Sequence, residues 1–211
     1  PVVVPGHAAA LGANAEDLTA NADGPLAPAV AEKARSLGYD YVRIFDFVRS
    51  EVATEWYAGA QKGAAGTLAT MAGNDVDQAS LLIALLRASG APTRYVRAVL
   101  EVPSAELGQM LAVPADRVGQ ALSAAGIANE PVVSGGALSA FRIEHVYVDA
   151  FVPYANYRGA SVDRSGKLWI PLAPALKRSA HVAARDAVQR SGIVVADWVD
   201  AWLRGPQSQL P

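Results

Sequence analysis

Apolar side chains recur at helical spacing in several stretches of the chain and at alternating spacing in three others, and this contrast sets the expected order of elements. Residues 25–37 and 41–52 read as helices. In the second, Val42, Phe45, Val48 and Val52 are expected on one helical face, and Gly38 sits where the first helix should stop. Residues 77–89 (DQASLLIALLRAS) are apolar almost all round, with Leu81, Leu82, Leu85 and Leu86 prominent. Asn74, Asp75 and Asp77 are cap candidates at its start, and Gly90 and Pro92 close it. A helix with so little polar face must be central. In the tail, 181–204, helical spacing returns in Val195, Trp198 and Trp202.

Alternation marks strands at 93–102 (TRYVRAVLEV) and 142–152 (RIEHVYVDAFV), with a shorter third at 168–172 (LWIPL). Between the first two lies a stretch rich in Ala, Gly, Ser and Pro, 103–140. It holds a helix near 115–125 and a Gly135-Gly136 turn, and reads as an insertion over one end of the sheet. Residues 54–73 read as an irregular loop, because Gly59, Gly63 and Gly66 lie close to Trp56 and Tyr57. The first 21 residues show little periodicity beyond a short helical turn near Glu16 to Leu18. The order of helices, then strands, then helices predicts an α+β fold in which a central helix packs on an antiparallel β-sheet. The expected organisation is an N-terminal arm over 1–24, a main domain over 25–180 and a helical extension over 181–211.

Composition narrows the function. A chain of 211 residues, 52% hydrophobic and 18% charged, is long enough for one domain with a substantial core. The net charge of -2 is spread without runs, so no nucleic-acid footprint is expected. No apolar run approaches the ~20 residues that span a bilayer, and no membrane insertion is expected. The chain holds no cysteine, which excludes disulfides, thiolate catalysis and Cys-based zinc sites. Its three histidines, His7, His145 and His181, have no close ligand spacing, so neither a metal centre nor a cofactor is expected. A start at Pro1 rather than Met suggests a piece of a longer polypeptide.

Three blocks together resemble a known family. They are the run from Gly73 through Asn74, Asp75, Asp77 and Gln78 to Leu86, Arg87 and Gly90 with 92–97; the run EHVYVDA from Glu144 to Ala150; and the run WIPLAP from Trp169 to Pro174. In order and spacing, over roughly 41–177, they are similar to the transglutaminase-like superfamily of the papain-like fold. The closest likeness is to bacterial members inside large cell-surface or secreted polypeptides, which would place this chain outside the cytoplasm. The resemblance implies a Cys-His-Asp triad acting on a glutamine or peptide carbonyl. Carried over, the cysteine falls on Asp75, the histidine on His145 and the acid on Ala173; only His145 keeps its type.

Two readings follow. In the first, Asp75 is a helix cap and the domain is a peptide-binding, protein-binding or scaffold module, its partner a peptide, a protein or the rest of its own polypeptide. In the second, Asp75 and His145 form a carboxylate–imidazole pair in the vestigial triad cleft of a hydrolase or acyltransferase acting on amides or esters. Trp56, Tyr57, Asn74, Trp169 and Tyr154, the last in the loop sequence YANYR, are the candidate groove residues. Asp149 lies ~13 Å along the strand from His145, too far to orient it. Asp163, in an expected turn, could fold back towards it.

Overall fold

The computed structural model describes residues 13–19, 27–153, 167–177 and single positions between 192 and 199. The chain divides into two compact units, 1–178 and 179–211, and every element below belongs to the first. Tyr154, Asp163, Val195, Trp198 and Trp202 lie outside the described residues.

Two helices open the domain, α1 (Pro28–Ser36) and α2 (Tyr41–Glu51). The Asp40 carboxylate starts α2 by accepting the Val42 and Arg43 amides at 2.9 Å each. The helix buries Ile44, Phe47 and Val48, whereas Val42 is 68% exposed. Two positions along a helix is about 200° of rotation, so a face through Ile44 turns Val42 to the opposite side.

The segment expected to be an irregular loop is ordered instead. A two-residue strand β1 (Ala53–Thr54) pairs in parallel with β2 (Ala72–Gly73), and between them runs helix α3 (Gly63–Thr70). Gly63 opens α3 at φ 59°, a left-handed conformation that glycine adopts without cost, and its amide is met by a carboxylate fourteen positions away, that of Asp77. At Gly73 a Cβ would lie 3.0 Å from the Asp77 Cβ and 3.1 Å from the Thr67 methyl, so β2 can approach the next helix only without a side chain.

That next helix is α4 (Asp75–Ala88), and it begins two residues before the apolar run suggested. Leu81, Leu82, Ile83, Leu85 and Leu86 are wholly buried, as a central helix requires. The sheet contains β3 (Thr93–Pro103), β4 (Asn129–Ser134), β5 (Ala137–Pro153) and β6 (Lys167–Leu172), all neighbouring pairs antiparallel. Strand β5 pairs with β3 along its whole middle, Thr93 opposite Ala150 and Pro103 opposite Ala140.

Each face of the sheet carries its own core. Val146, Val148 and Ala150 pack on α4, with α1 and α2 completing that layer. The other face carries Val96, Ala98 and Leu100 of β3 with Phe141, Ile143 and Tyr147 of β5. The expected insertion covers it: α5 (Ser104–Leu111) and α6 (Val118–Ala124) contribute Leu107, Val118 and Leu122. A short 3-10 turn, Ala115–Arg117, leads into α6.

One irregularity positions the site. On the flank of β5 away from β3, β4 pairs as far as Ile143 and β6 begins at Val148. Residues 144–147 therefore run without a partner strand on that side among the described residues.

Candidate functional site

The start of α4 comes to this unpartnered stretch. Backbone groups along β5 alternate in direction: Phe151 turns its amide towards Pro92 on the β3 side, so Val146 turns its own to the open flank. There the Oδ2 of Asp75 accepts it at 2.7 Å. The same oxygen stands 3.3 Å from the Nδ1 of His145. A helix residue and a strand residue seventy positions apart in sequence are thus paired through one carboxylate.

Burial alone would lift the Asp75 carboxyl, but the bond with His145, the Val146 amide, the imidazole's charge and the Val76 amide outweigh it. The group lies below the ordinary carboxylate range and is ionised at neutral pH. The ring nitrogen turned to this ionised acceptor is Nδ1. Nε2 is buried and has no hydrogen-bond partner, and the whole residue is 4% exposed. A carboxylate depressed on folding stabilises the native state fully above its unfolded value, near pH 4, and ceases to do so as pH falls through its lower folded value. The difference in thermal stability between the wild type and Asp75→Asn is therefore expected to be largest at neutral pH and to narrow below pH 4. Melting curves at pH 7 and pH 3 check it.

The capping role considered for Asp75 belongs to Asn74. Its Oδ1 accepts the Asp77 amide at 2.9 Å, and its Nδ2 donates to the carbonyls of Tyr57 and Gly59 at 2.9 and 2.7 Å. Asn74 is buried, its side-chain polar atoms hold the start of α4 to residues 57–59, and it also lines the cleft described below. Asp77, fully buried, gathers the amides of Gln61, Lys62 and Gly63 at 3.2, 3.1 and 2.9 Å, together with the Tyr57 hydroxyl. Burial, and then the carboxylate beside it, push the Tyr57 phenol above its usual value. Gln78 ties the same region to β1 through Thr54, whose hydroxyl donates in turn to the Ala175 carbonyl.

A cleft of about 260 Å³ opens over this arrangement. Asp75 and His145 form part of its wall, with Trp56, Tyr57, Ile127 and Leu176 as apolar lining and Arg97 and Glu144 at its charged side. Trp56 and Tyr57 thus stand where the sequence placed them. Trp169 does not: on β6 it packs against Phe151, ring centres 5.3 Å apart, and carries the Arg94 guanidinium 4.0 Å above its own ring. Asp149 is committed to Arg94 at 3.3 Å. Ala173 follows β6 and packs on the core beneath α5 and α6. The anchoring role of Asp77, the Val146 amide and the cleft residues Arg97, Glu144, Ile127 and Leu176 had no signal in the sequence beyond their membership of helix or strand patterns. Among the described residues no group of three or more histidine or acidic side chains is placed to hold a metal ion, and no helix is long and apolar enough to cross a membrane.

The family model of the transglutaminase-like superfamily matches residues 25–203. No curated protein matches the chain. Among solved structures, the crystal structure of the periplasmic domain of TgpA from Pseudomonas aeruginosa bound to ethylmercury is similar over 75% of this chain and 46% of that one, at 16% identity and a TM-score of 0.43. This chain thus spans about half the length of that domain.

Proposed function

The chain belongs to the transglutaminase-like superfamily, and from that premise we propose that its cleft binds an extended peptide or protein segment without turning it over. The observation that carries this reading is the state of the pair at the helix start. The Oδ2 of Asp75 is already an acceptor for the Val146 amide and for His145. A carboxylate so engaged and so stabilised is a poor nucleophile. The Nε2 of His145 is buried and has no hydrogen-bond partner, so it offers no exposed base to a bound segment. With no cysteine in the chain, the family's thiol chemistry has no nucleophile. What persists is a cleft with aromatic and aliphatic walls, rigidly held by the Asp77 and Asn74 bonds, which suits binding.

Incubating the protein with a glutamine-containing peptide and a primary amine tests this. Binding is expected as a change in tryptophan fluorescence, lost on Trp56→Ala, with no release of ammonia above the buffer rate. The alternative, an amide or ester hydrolase or acyltransferase built on Asp75 and His145, draws its support from their 3.3 Å separation beside an open cleft. Ammonia or ester hydrolysis that disappears in both Asp75→Asn and His145→Ala would establish it and sink the binding-only reading.

A further inference from the structure

We propose that two copies of this chain associate by antiparallel pairing of the outer edges of their β3 strands, around a two-fold axis through Val99. The pairing is independent of what the cleft binds.

In the sheet, β3 lies on one flank of β5 and β4 on the other. The Phe151 amide donates to the Pro92 carbonyl at 2.8 Å, and the register runs unshifted from Thr93 opposite Ala150 to Pro103 opposite Ala140. The even-numbered residues of β3 therefore turn their main-chain groups to β5, and the odd-numbered ones turn theirs outwards. Among the described residues, nothing pairs with the outward amides and carbonyls of Arg97, Val99 and Glu101. The outer edge of β4 is guarded: the same alternation points Pro131 outwards, and proline has no amide to offer. An unguarded edge is a template for a further strand.

The side chains select the partner. Arg97, Val99 and Glu101 project from the open face and are all exposed, Val99 at 60%, while Val96, Ala98, Leu100 and Val102 between them are buried in the core beneath α5 and α6. With the axis at Val99, that residue meets its own copy, Arg97 meets Glu101 of the partner subunit, and Glu101 meets the partner's Arg97. All three pairs have their main-chain groups turned to each other, which gives about six hydrogen bonds. The charges continue ladders already present, for Arg142 pairs with Glu101 at 3.2 Å and with Glu130 at 3.4 Å, and Arg97 with Glu144 at 3.4 Å. Across the joint the row reads Glu130, Arg142, Glu101, the partner's Arg97 and the partner's Glu144, alternating in sign throughout. Parallel pairing in register, or an axis at Arg97 or Glu101, sets like charges against each other. A second copy is thus the occupant that the edge fits, because a two-fold joint needs a surface complementary to itself.

Three residue pairs make a small joint beside the ~1,200 to 2,000 Å² of stable interfaces, so the dimer is reversible and shows at high concentration. Sedimentation equilibrium of the full chain at low ionic strength, from about 5 to about 500 μM, is expected to show monomer and dimer in exchange. Arg97→Glu and Glu101→Arg each put like charges at both ends of the joint and are expected to weaken dimerisation about tenfold or more. Mixing the two variants in equal amounts is expected to restore it, since each then faces its opposite, and restoration also shows that both are folded. In the wild type, the Val99 amide is expected to exchange with deuterium more slowly at the highest concentration than at the lowest, which gives an answer even if a variant fails to fold. A wild type that stays monomeric throughout overturns the proposal. So does a dimer that both single variants leave intact, or a mixture that stays monomeric where the wild type dimerises. Equal protection of the Val99 amide at all concentrations would mean that another part of the same chain covers the edge, and overturns it too.

Discussion

Asp77→Ala is expected to lower the melting temperature by ~10 °C or more. The carboxylate is wholly buried and is the shared acceptor for three backbone amides and the Tyr57 hydroxyl. Each buried donor left without a partner costs about 1 to 3 kcal/mol, and water admitted to the gap restores only some of that. A net loss of ~4 kcal/mol is a reasonable sum for four donors. At ~2 to 4 °C per kcal/mol for a chain of this size, that is a shift of ~8 to 16 °C. Asp77→Asn keeps one acceptor oxygen but turns an amino group towards donors, so it is expected to recover less than half the loss. Circular dichroism melts measure both. The cleft should suffer first, because residues 57–63 hang from this carboxylate, and Trp56 fluorescence should change below the main transition in the alanine variant. A shift under 2 °C would mean that these amides are satisfied without Asp77.

The second large effect is a gain. Asp75→Cys puts the chain's one thiol at the first turn of α4, close to the Nδ1 of His145. A helix start and an imidazolium lower a cysteine from about 8.5 to about 6. At pH 6 this raises the thiolate fraction roughly 150-fold. The lower basicity gives back about a factor of ten in nucleophilicity, so alkylation by iodoacetamide should run about tenfold faster than for a free cysteine. Since the natural chain has no cysteine, mass spectrometry reads the reaction against no background. Alkylation alone is not turnover: His145 Nε2 still lacks a partner. Adding Ala173→Asp to Asp75→Cys is expected to supply one and to release ammonia from a glutamine peptide, which neither single variant does. Alkylation of Asp75→Cys no faster than for free cysteine would show that the imidazole does not govern that position.

These two carboxylates also mark where sequence reading stopped. The central helix was legible from Leu81, Leu82, Leu85 and Leu86, because a run that apolar has nowhere to go but inside. The strands were legible from alternation: β3 falls close to the predicted range, whereas β5 starts five residues before it, inside the stretch read as an insertion. The pairing of Asp75 with His145 came from family spacing. What could not be read was the division of labour among Asn74, Asp75 and Asp77. All three are good caps by residue type, and their partners lie at 57–63 and at 145–146, far along the chain. For the same reason α3 was hidden. Its glycines argue for a loop locally, and the carboxylate that satisfies its first amide arrives from another helix. Strand β4 was hidden by Pro131 and by a composition that resembles a linker, although edge strands tolerate proline. In α2 the predicted face was right for Phe45, Val48 and Val52, which pack into the core, and wrong for Val42, since Ile44 outranks it only once α4 is in place.

The bond from Asp75 to Val146 closes a loop of 71 positions, and α5, α6 and β4 all lie inside it. Closing a flexible loop costs entropy that rises only with the logarithm of its length, about 0.6 kcal/mol for each doubling. The cleft is consequently insensitive to how much chain is spliced in at the solvent-facing Gly135-Gly136 turn. The same separation makes this closure a late event in folding, after α4 and the β3–β5 ladder exist to hold its two ends near one another. Sequence drift can therefore resize the hairpin and reshape what surrounds the cleft while the point that ties helix to strand stays as it is.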